Sequence, residues 1–150
     1  MTLTFRDARA RDLPAIVAML ADDELGRGRE QPDRPEIYSL AFGRMEGNVN
    51  NRVIVAEEGG RIVGCFQITF IQGLSRAGAR RALVEGVRTV AEARGQGIGE
   101  AMMRHAIAVA RAQGCVLVQL TSDKSRRRAH EFYKRLGFQQ SHEGFKLDIG

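Results

Sequence analysis

The residue types most able to do chemistry lie in a glycine-rich run, RGQGIGE, over residues 94–100. Its glycines alternate with other residues, and without side chains their backbone N–H groups can approach a ligand closely. The run opens a predicted helix, whose first N–H groups have no internal partner and carry the positive end of the helix dipole. With the guanidinium of Arg94 beside them, these groups predict an anion site suited to phosphate.

Two common phosphate-binding motifs do not fit this run. The Gly-x-x-x-x-Gly-Lys-Ser/Thr pattern is absent, because no lysine follows these glycines. The dinucleotide pattern Gly-x-Gly-x-x-Gly fails because its last position holds Glu100 or Met102, depending on the starting glycine. Asp123 does follow the next predicted strand, so a degenerate nicotinamide site remains an alternative.

The cysteines and histidines indicate neither a metal site nor a disulfide framework. Cys65 and Cys115 belong to no Cys-x-x-Cys pair, and His105, His130 and His142 show no ligand spacing. We therefore expect no metal, two reduced thiols and a cytoplasmic protein.

Apolar periodicity and turn residues predict the elements that must position the glycine-rich run. The predicted order is β-α-α-β-β-β-α-β-α-β. Strands are expected over 2–6, 52–57, 61–71, 83–90 and 116–120, with one or two final strands at Phe138 and over Phe145–Ile149. Helices are expected over 13–20, 37–45, 97–113 and 125–136, and loops over 26–35 and 76–81. Because hairpins link the early strands and helices link the later ones, the pattern indicates a mixed α/β or α+β sheet with helices on its faces.

Length and composition favour one folded domain over residues 1–150. Apolar residues make up 43% of the chain and charged residues 27%, which is typical of globular proteins and excludes disorder as the main description. No apolar run reaches the ~18 residues of a membrane span, and the amino terminus lacks the pattern of a signal peptide. The net charge of +5 is compatible with a polyanionic ligand or with an arginine-rich surface. No aromatic residues interleave with the arginines over 76–81 or 126–128, so we expect neither a nucleic-acid partner nor a membrane partner.

Residues 94–99 resemble the Arg/Gln-x-x-Gly-x-Gly/Ala acetyl-CoA motif of the GNAT superfamily of N-acetyltransferases. Further along, Ala129, Phe132-Tyr133 and Leu136-Gly137-Phe138 resemble the Ala-x-x-x-Tyr-x-x-x-Gly-Phe pattern of the same family. The resemblance implies an α/β (α+β) fold with a mixed, mostly antiparallel sheet of six to seven strands flanked by about four helices. It also implies acetyl-CoA as co-substrate, a primary amine of a small molecule as acceptor, direct attack of the amine on the thioester, and a homodimer.

The resemblance also implies roles for particular residues. Tyr133 corresponds to the family's acid for the departing thiolate, and Glu85, on the strand before the glycine run, is the candidate base. Glu57, Asp123 and a water chain are the alternatives for the base. A splay between the strand over 83–90 and the strand over 116–120 would admit the thioester. The predicted cofactor-binding residues are Arg88, Thr89 and Val90, which pair with the pantetheine arm, and Arg94, Gly95, Gln96, Gly97, Ile98, Gly99 and Glu100 around the pyrophosphate.

Arg126 stands where many family members have an asparagine that holds the pantetheine arm. With Arg127 and Arg128 it could instead reach the 3′-phosphate or the pyrophosphate, or belong to a solvated arginine face. Three other functions stay open: a sensor that binds acyl-CoA without chemistry, an acetyltransferase acting on protein amino termini or lysines, and a nucleic-acid-binding protein.

Overall fold

The computed structural model describes residues 2–150. Its contacts divide the chain into two compact units, one ending at Gln119 and the other running from Leu120 to Gly150. None of the helices described over 2–150 is long and apolar enough to cross a membrane.

The first unit is built on one sheet, in which the strands follow one another in chain order. The pairs β1–β2, β2–β3 and β3–β4 are antiparallel, and β4–β5 is parallel. The parallel pair requires a crossover between its strands, which the helix Ile98–Ala112 supplies. The strands are β1 (Leu3–Asp7), β2 (Asn51–Glu58), β3 (Arg61–Gln72), β4 (Arg80–Thr89) and β5 (Cys115–Gln119).

The described residues form six α-helices, of which the last belongs to the second unit. In the first unit α1 and α5 pack on opposite faces of the sheet. Ile16 and Met19 of α1 form a buried cluster with Val55 and Cys65, whereas a Cβ added at Gly64, the next position along β3, would meet Met102 of α5. The helices are α1 (Leu13–Ala21), α2 (Glu24–Arg29), α3 (Pro35–Met45), the single turn α4 (Ser75–Gly78), α5 (Ile98–Ala112) and α6 (Arg127–Arg135).

The fold class agrees with the expectation, but the number of elements does not. The structure has a mixed, mostly antiparallel sheet of five strands, not six to seven, with six helices, not about four. The strands expected at Phe138 and over Phe145–Ile149 are not formed. Alternating polarity favours a strand, but a strand exists only within a ladder of backbone hydrogen bonds. Phe145 and Ile149 are instead 93% and 91% exposed.

Two predicted loops are partly regular structure. The loop expected over 26–35 begins inside α2, because the Asp23 side chain accepts a hydrogen bond from the N–H of Gly26 and caps that helix. The loop expected over 76–81 ends earlier, because Arg80 and Arg81 pair with Gln72 and Ile71 and open β4.

A partly buried ion pair connects the start of α1 to the sheet. Arg6 of β1 donates from Nη1 to Asp12 Oδ2 at 2.7 Å and from Nη2 to Asp12 Oδ1 at 3.0 Å. Its Nε donates to Glu57 of β2 at 2.7 Å. Asp12 also accepts a hydrogen bond from the backbone N–H of Arg9. The hydrogen bond from Arg6 holds the pKa of the Asp12 carboxyl below its ordinary value of 3.8.

This ion pair predicts that the folded state loses stability at low pH. A carboxylate whose pKa is lowered by folding stabilises the folded state above its unfolded pKa, and the contribution is lost as pH falls through the folded pKa. We therefore expect the free energy of unfolding to fall as pH drops below 3.8, and to fall less steeply in Asp12→Asn. Urea denaturation at several pH values measures this difference, and equal slopes for the two proteins would contradict it.

Candidate functional site

The edge of β4 that faces β5 is open along its second half. The parallel pairing covers only the stretch from Arg80 to Leu83 of β4, opposite Cys115 to Gln119 of β5. The strand β4 then continues to Thr89 without a partner on that side among the described strands. Unpaired N–H and C=O groups along such an edge are available to an extended ligand, which can bind as an added strand.

The backbone direction at the end of this open edge follows from one hydrogen bond. The N–H of Val90 donates to the carbonyl of Val63, on the β3 side, at 2.9 Å. Alternate residues of a regular strand direct their N–H and C=O groups to opposite neighbours, so those of Thr89 face the open side. Of the three predicted residues Arg88, Thr89 and Val90, Thr89 is therefore the one whose backbone N–H and C=O groups face the open edge of β4.

A bulge in β4, which sequence reasoning missed, bends the strand where the edge opens. Gln67 pairs with Glu85 and Cys65 with Arg88, so Gly86 and Val87 together oppose one residue of β3. Gly86 has φ +60°, a left-handed conformation that glycine adopts without strain and that bulges of this kind use. A lone glycine inside a strand pattern is the sequence signal for such a bulge.

The glycine-rich run forms the turn that leads from β4 into α5. Gly95 and Gly97 have φ of +81° and +80°, and a Cβ added at either would meet nothing within 4 Å. Glycine is therefore required there for the backbone and not for packing. Gly97 is the N-cap of α5, and the first helical hydrogen bond runs from the N–H of Ala101 to the carbonyl of Gly97. The N–H groups of the three residues between, Ile98, Gly99 and Glu100, thus have no helical acceptor.

The side chains of this run differ in exposure. Ile98 is buried and anchors the first turn of α5. Gln96 donates from its amide to the carbonyl of Glu92, and Glu100 pairs with Arg104 one turn later. The run therefore turns backbone N–H groups outward while its apolar side chain holds the helix against the sheet.

Two aspartates at the junction of α1 and α2 hold the two arginines that flank this region. Asp23 Oδ2 lies 3.2 Å from Nη2 of Arg88, and Asp22 Oδ2 lies 3.4 Å from Nη2 of Arg94. The Arg88 pair is mostly buried, with side-chain exposures of 14% and 20%. The junction thus fixes the helices to the strand and loop that carry the predicted cofactor-binding residues.

Glu85 differs from the other candidate bases in its surroundings. It is exposed on β4 just before the bulge. Glu57 is occupied by the hydrogen bond from Arg6. Asp123 accepts hydrogen bonds from the hydroxyl and the N–H of Ser125, and these lower the pKa of its carboxyl. A lower pKa makes a carboxylate a weaker base.

Tyr133 and Arg126 lie in the second unit. The chain ends α6 in a Schellman motif, because the N–H of Phe138 donates to the carbonyl of Tyr133 and that of Gly137 to Lys134. Gly137 has φ +100°, and the rings of Tyr133 and Phe138 pack edge to face at 5.8 Å. The Tyr-x-x-x-Gly-Phe pattern is thus a helix stop that fixes the tyrosine ring. Arg126 is the N-cap residue of α6.

The two cysteines and the possible metal ligands do not form a second reactive site among the described residues. Cys65 is buried, and burial raises the pKa of its thiol to about 12, so little thiolate forms at neutral pH. Cys115 is also a free thiol, and partial burial raises its pKa. Over residues 2–150 no group of three histidine, cysteine, aspartate or glutamate side chains could hold a metal ion.

Solved structures with the same fold include proteins of several functions. A transcriptional regulator from Bacillus halodurans C-125 is 47% identical with a TM-score of 0.95, over 99% of this chain and 100% of that chain. A protein from Agrobacterium tumefaciens C58, described as a proposed acetyltransferase, is 27% identical with a TM-score of 0.86, over 97% and 99%. A protein from Clostridium acetobutylicum, likewise described as a proposed acetyltransferase and crystallised with acetyl-CoA, is 22% identical with a TM-score of 0.75, over 98% and 96%.

The family comparison covers the part of the chain that carries the open edge and the glycine run. No curated protein matches the chain. The model of the acetyltransferase (GNAT) family matches residues 13–138, which include β4, the glycine run, α5 and α6. The chain therefore belongs to the GNAT acetyltransferase family.

Proposed function

We propose that this protein transfers an acetyl group from acetyl-CoA to a primary amine of a small molecule. The observation that carries the proposal is the open edge of β4, which leads directly into the glycine-capped start of α5. One element offers an unpaired strand edge to the pantetheine arm, and the next offers unpaired N–H groups to the pyrophosphate. The structural neighbour crystallised with acetyl-CoA supports this choice of co-substrate.

The residues of the first unit fit such a ligand. In the proposal the backbone of Thr89, with its neighbours Arg88 and Val90, pairs with the pantetheine arm. The N–H groups of Gln96, Gly97, Ile98, Gly99 and Glu100 receive the pyrophosphate, beside the charge of Arg94 and the backbone of Gly95. For Arg126 we propose contact with the pantetheine arm or a phosphate of the same ligand.

The chemistry needs three further groups. The attacking amine must be neutral, and we propose that Glu85 removes its proton directly or through water. The oxyanion formed on the thioester carbonyl needs a hydrogen-bond donor, for which we propose a backbone N–H of β4 beside the bulge. Tyr133 is the proposed acid that protonates the departing thiolate. Direct attack is favoured over an acyl-enzyme because the pKa of the buried Cys65 thiol is raised.

The test is a calorimetric titration with acetyl-CoA, with coenzyme A and NAD in parallel, followed by an amine panel assayed for thiol release. We expect micromolar binding of acetyl-CoA, no binding of NAD, and release of coenzyme A with at least one small amine. Binding of NAD in place of acetyl-CoA would support the dinucleotide alternative. Acetylation of peptides in preference to every small amine would support a protein acceptor.

The role of the glycine run predicts a difference between two glycines at opposite ends of α5. Gly97 and Gly114 have φ of +80° and +77°, and both face open space. Alanine at either position therefore costs a similar ~1–2 kcal/mol of stability. Only Gly97→Ala should also weaken acetyl-CoA binding, by about tenfold (about 1.4 kcal/mol). Calorimetry and thermal unfolding measure the two effects, and equal affinities in the two variants would contradict the assignment.

A nucleic-acid function is the second candidate. The name of the Bacillus halodurans protein supports it, as does a shallow depression on α6 lined by Arg127, Arg128, Glu131 and Arg135. We propose against it, because no aromatic residues interleave with the arginines over 76–81 or 126–128 to stack on bases. Tight binding of duplex DNA with a steep salt dependence would reverse this choice.

We also propose a cytoplasmic location and a homodimer. The two free cysteines support the first proposal, since an oxidising compartment favours disulfides. The family resemblance supports the second. Light scattering on the purified protein tests it, and a particle of 16.6 kDa would contradict it.

A further inference from the structure

Polar residues of three neighbouring strands lie on the α1 side of the sheet, next to the open edge of β4. We call the surface formed by Asn51, Gln67, Thr69, Arg81 and Glu85 the polar shelf. Paired residues of neighbouring strands place their side chains on the same face. Glu85 is paired with Gln67, Leu83 with Thr69 and Thr69 with Asn51. Gln67 shares its face of β3 with Cys65, which packs under α1. Leu20, near the end of α1, would lie 3.6 Å from a Cβ at Gly86, so the shelf begins where that helix ends.

The floor of the shelf is held by hydrogen bonds between its own side chains. Gln67 Nε2 donates to Asn51 Oδ1 at 2.8 Å, and Thr69 Oγ1 donates to the same oxygen at 3.4 Å. Gln67, Thr69 and Asn51 are all half-buried. They form a fixed polar surface that remains open to a ligand.

Opposite charges stand at the two ends of this shelf. Glu85 is exposed at the end near the bulge. Arg81 lies two positions before Leu83 in β4 and on the same face of the sheet. It is half-buried, and its Nη1 lies beside Gly73, at the end of β4 where the hairpin from β3 enters. Within residues 2–150 the side chains of neither Glu85 nor Arg81 take part in a described hydrogen bond or ion pair. The two charges are therefore available to a ligand lying along β4.

We propose that the acceptor is an amine that also carries an oxyanion, with its amino group toward Glu85 and its carboxylate or phosphate at Arg81. This inference rests on the proposed acetyl transfer and specifies the class of its acceptor. The guanidinium of arginine binds carboxylate and phosphate with two hydrogen bonds at once. The same charge repels an amine whose far end is a second cation.

The spacing of the strand also sets the length of the acceptor. Four residues of extended strand place the Cα atoms of Arg81 and Glu85 roughly 13 Å apart. Because the guanidinium of Arg81 lies toward Gly73, away from Glu85, the two charged groups are at least that far apart. One hydrogen bond of about 3 Å at each end then leaves at least about 7 Å between the two groups of the ligand. A linear chain of about six carbons or more spans that length, whereas a two-carbon chain does not.

A series of linear acceptors tests the inference. The thiol-release assay compares ω-amino carboxylates and ω-aminoalkyl phosphates of two to eight carbons with neutral alkylamines and α,ω-diamines of matching length. We expect kcat/KM to be highest for acceptors of about six carbons or more, and to exceed that of the neutral amine of the same length by about 10- to 100-fold, mostly through KM. A comparison of kcat/KM between the ω-amino carboxylates and the ω-aminoalkyl phosphates shows which oxyanion the protein prefers.

Variants of Arg81 connect the preference to the shelf. Arg81→Met should remove the advantage of the anionic acceptors, Arg81→Lys should retain part of it, and Arg81→Glu should shift the preference to the diamines. Arg111→Met, which removes an exposed arginine from the last turn of α5 on the other side of the sheet, is the control and should retain it. Thermal unfolding verifies that each variant folds.

The outcomes separate this inference from the proposed function. Acetylation that does not distinguish anionic from neutral acceptors, or an equal loss for both in Arg81→Met, would overturn the shelf assignment while leaving acetyl transfer in place. Absence of acetyl-CoA binding and of thiol release with every amine would overturn the proposed function itself.

Discussion

Replacing Tyr133 with phenylalanine should lower kcat by about 100- to 10,000-fold, the range that a positioned general acid supplies. The change removes one hydroxyl and keeps the ring, which packs edge to face against Phe132 at 5.1 Å and Phe138 at 5.8 Å. The Schellman hydrogen bonds involve the backbone of residue 133 and are retained. Folding and the Kd for acetyl-CoA should therefore change little, so the loss should fall on the chemical step.

The second tyrosine of the chain supplies the matched control. The Tyr38 hydroxyl accepts from the N–H of Gln31 and donates to Glu30, each at 2.8 Å. Tyr38→Phe should cost about 1 kcal/mol of stability without a comparable loss of kcat. The pH profile provides a further readout, because removal of the acid should abolish the alkaline limb that its ionisation causes. Equal kcat values for Tyr133→Phe and the parent would instead indicate an acyl-CoA sensor or a different acid.

Replacing Gly26 with alanine should destabilise the fold by about 2–3 kcal/mol, as overpacking at a rigid position does. A Cβ at this position would lie far inside van der Waals contact with the carbonyl oxygen of Leu20 and 2.9 Å from Asp23 Oδ1. The carbonyl belongs to the end of α1 and cannot move without shifting that helix. Asp23 caps α2 and also pairs with Arg88, so the displacement should reach β4 as well. Urea denaturation measures the loss.

Gly28 of the same helix is the control for this change. It is exposed, and a Cβ there would meet nothing within 4 Å. Alanine has the higher helix propensity by about 1 kcal/mol, so Gly28→Ala should be neutral or stabilising. If both variants lost the same stability, helix α2 would tolerate no side chain at either position and the steric argument for Gly26 would be wrong.

Several parts of the candidate site could be predicted because they depend on local conformation. The alternating glycines predicted a turn into a helix, and Gly95 and Gly97 do adopt positive φ immediately before α5. Gly114 and Gly137 likewise stand where α5 and α6 end. Such features depend on φ preferences and on hydrogen bonds between residues three to five positions apart, which a short window of sequence contains.

The amino-acid sequence by itself thus determined the fold class, the turn formed by the glycine-rich run and the helix that follows it. Tertiary structure decided the rest. It limited the pairing of β5 to the first half of β4, placed Asp22 and Asp23 against Arg94 and Arg88, and brought Asn51, Gln67 and Glu85 onto one face. It also left Phe145–Ile149 without the ladder that their alternating pattern favours. The physical reason is that register and pairing depend on contacts between residues far apart in the chain, whose free energies are set by the packing of the whole sheet.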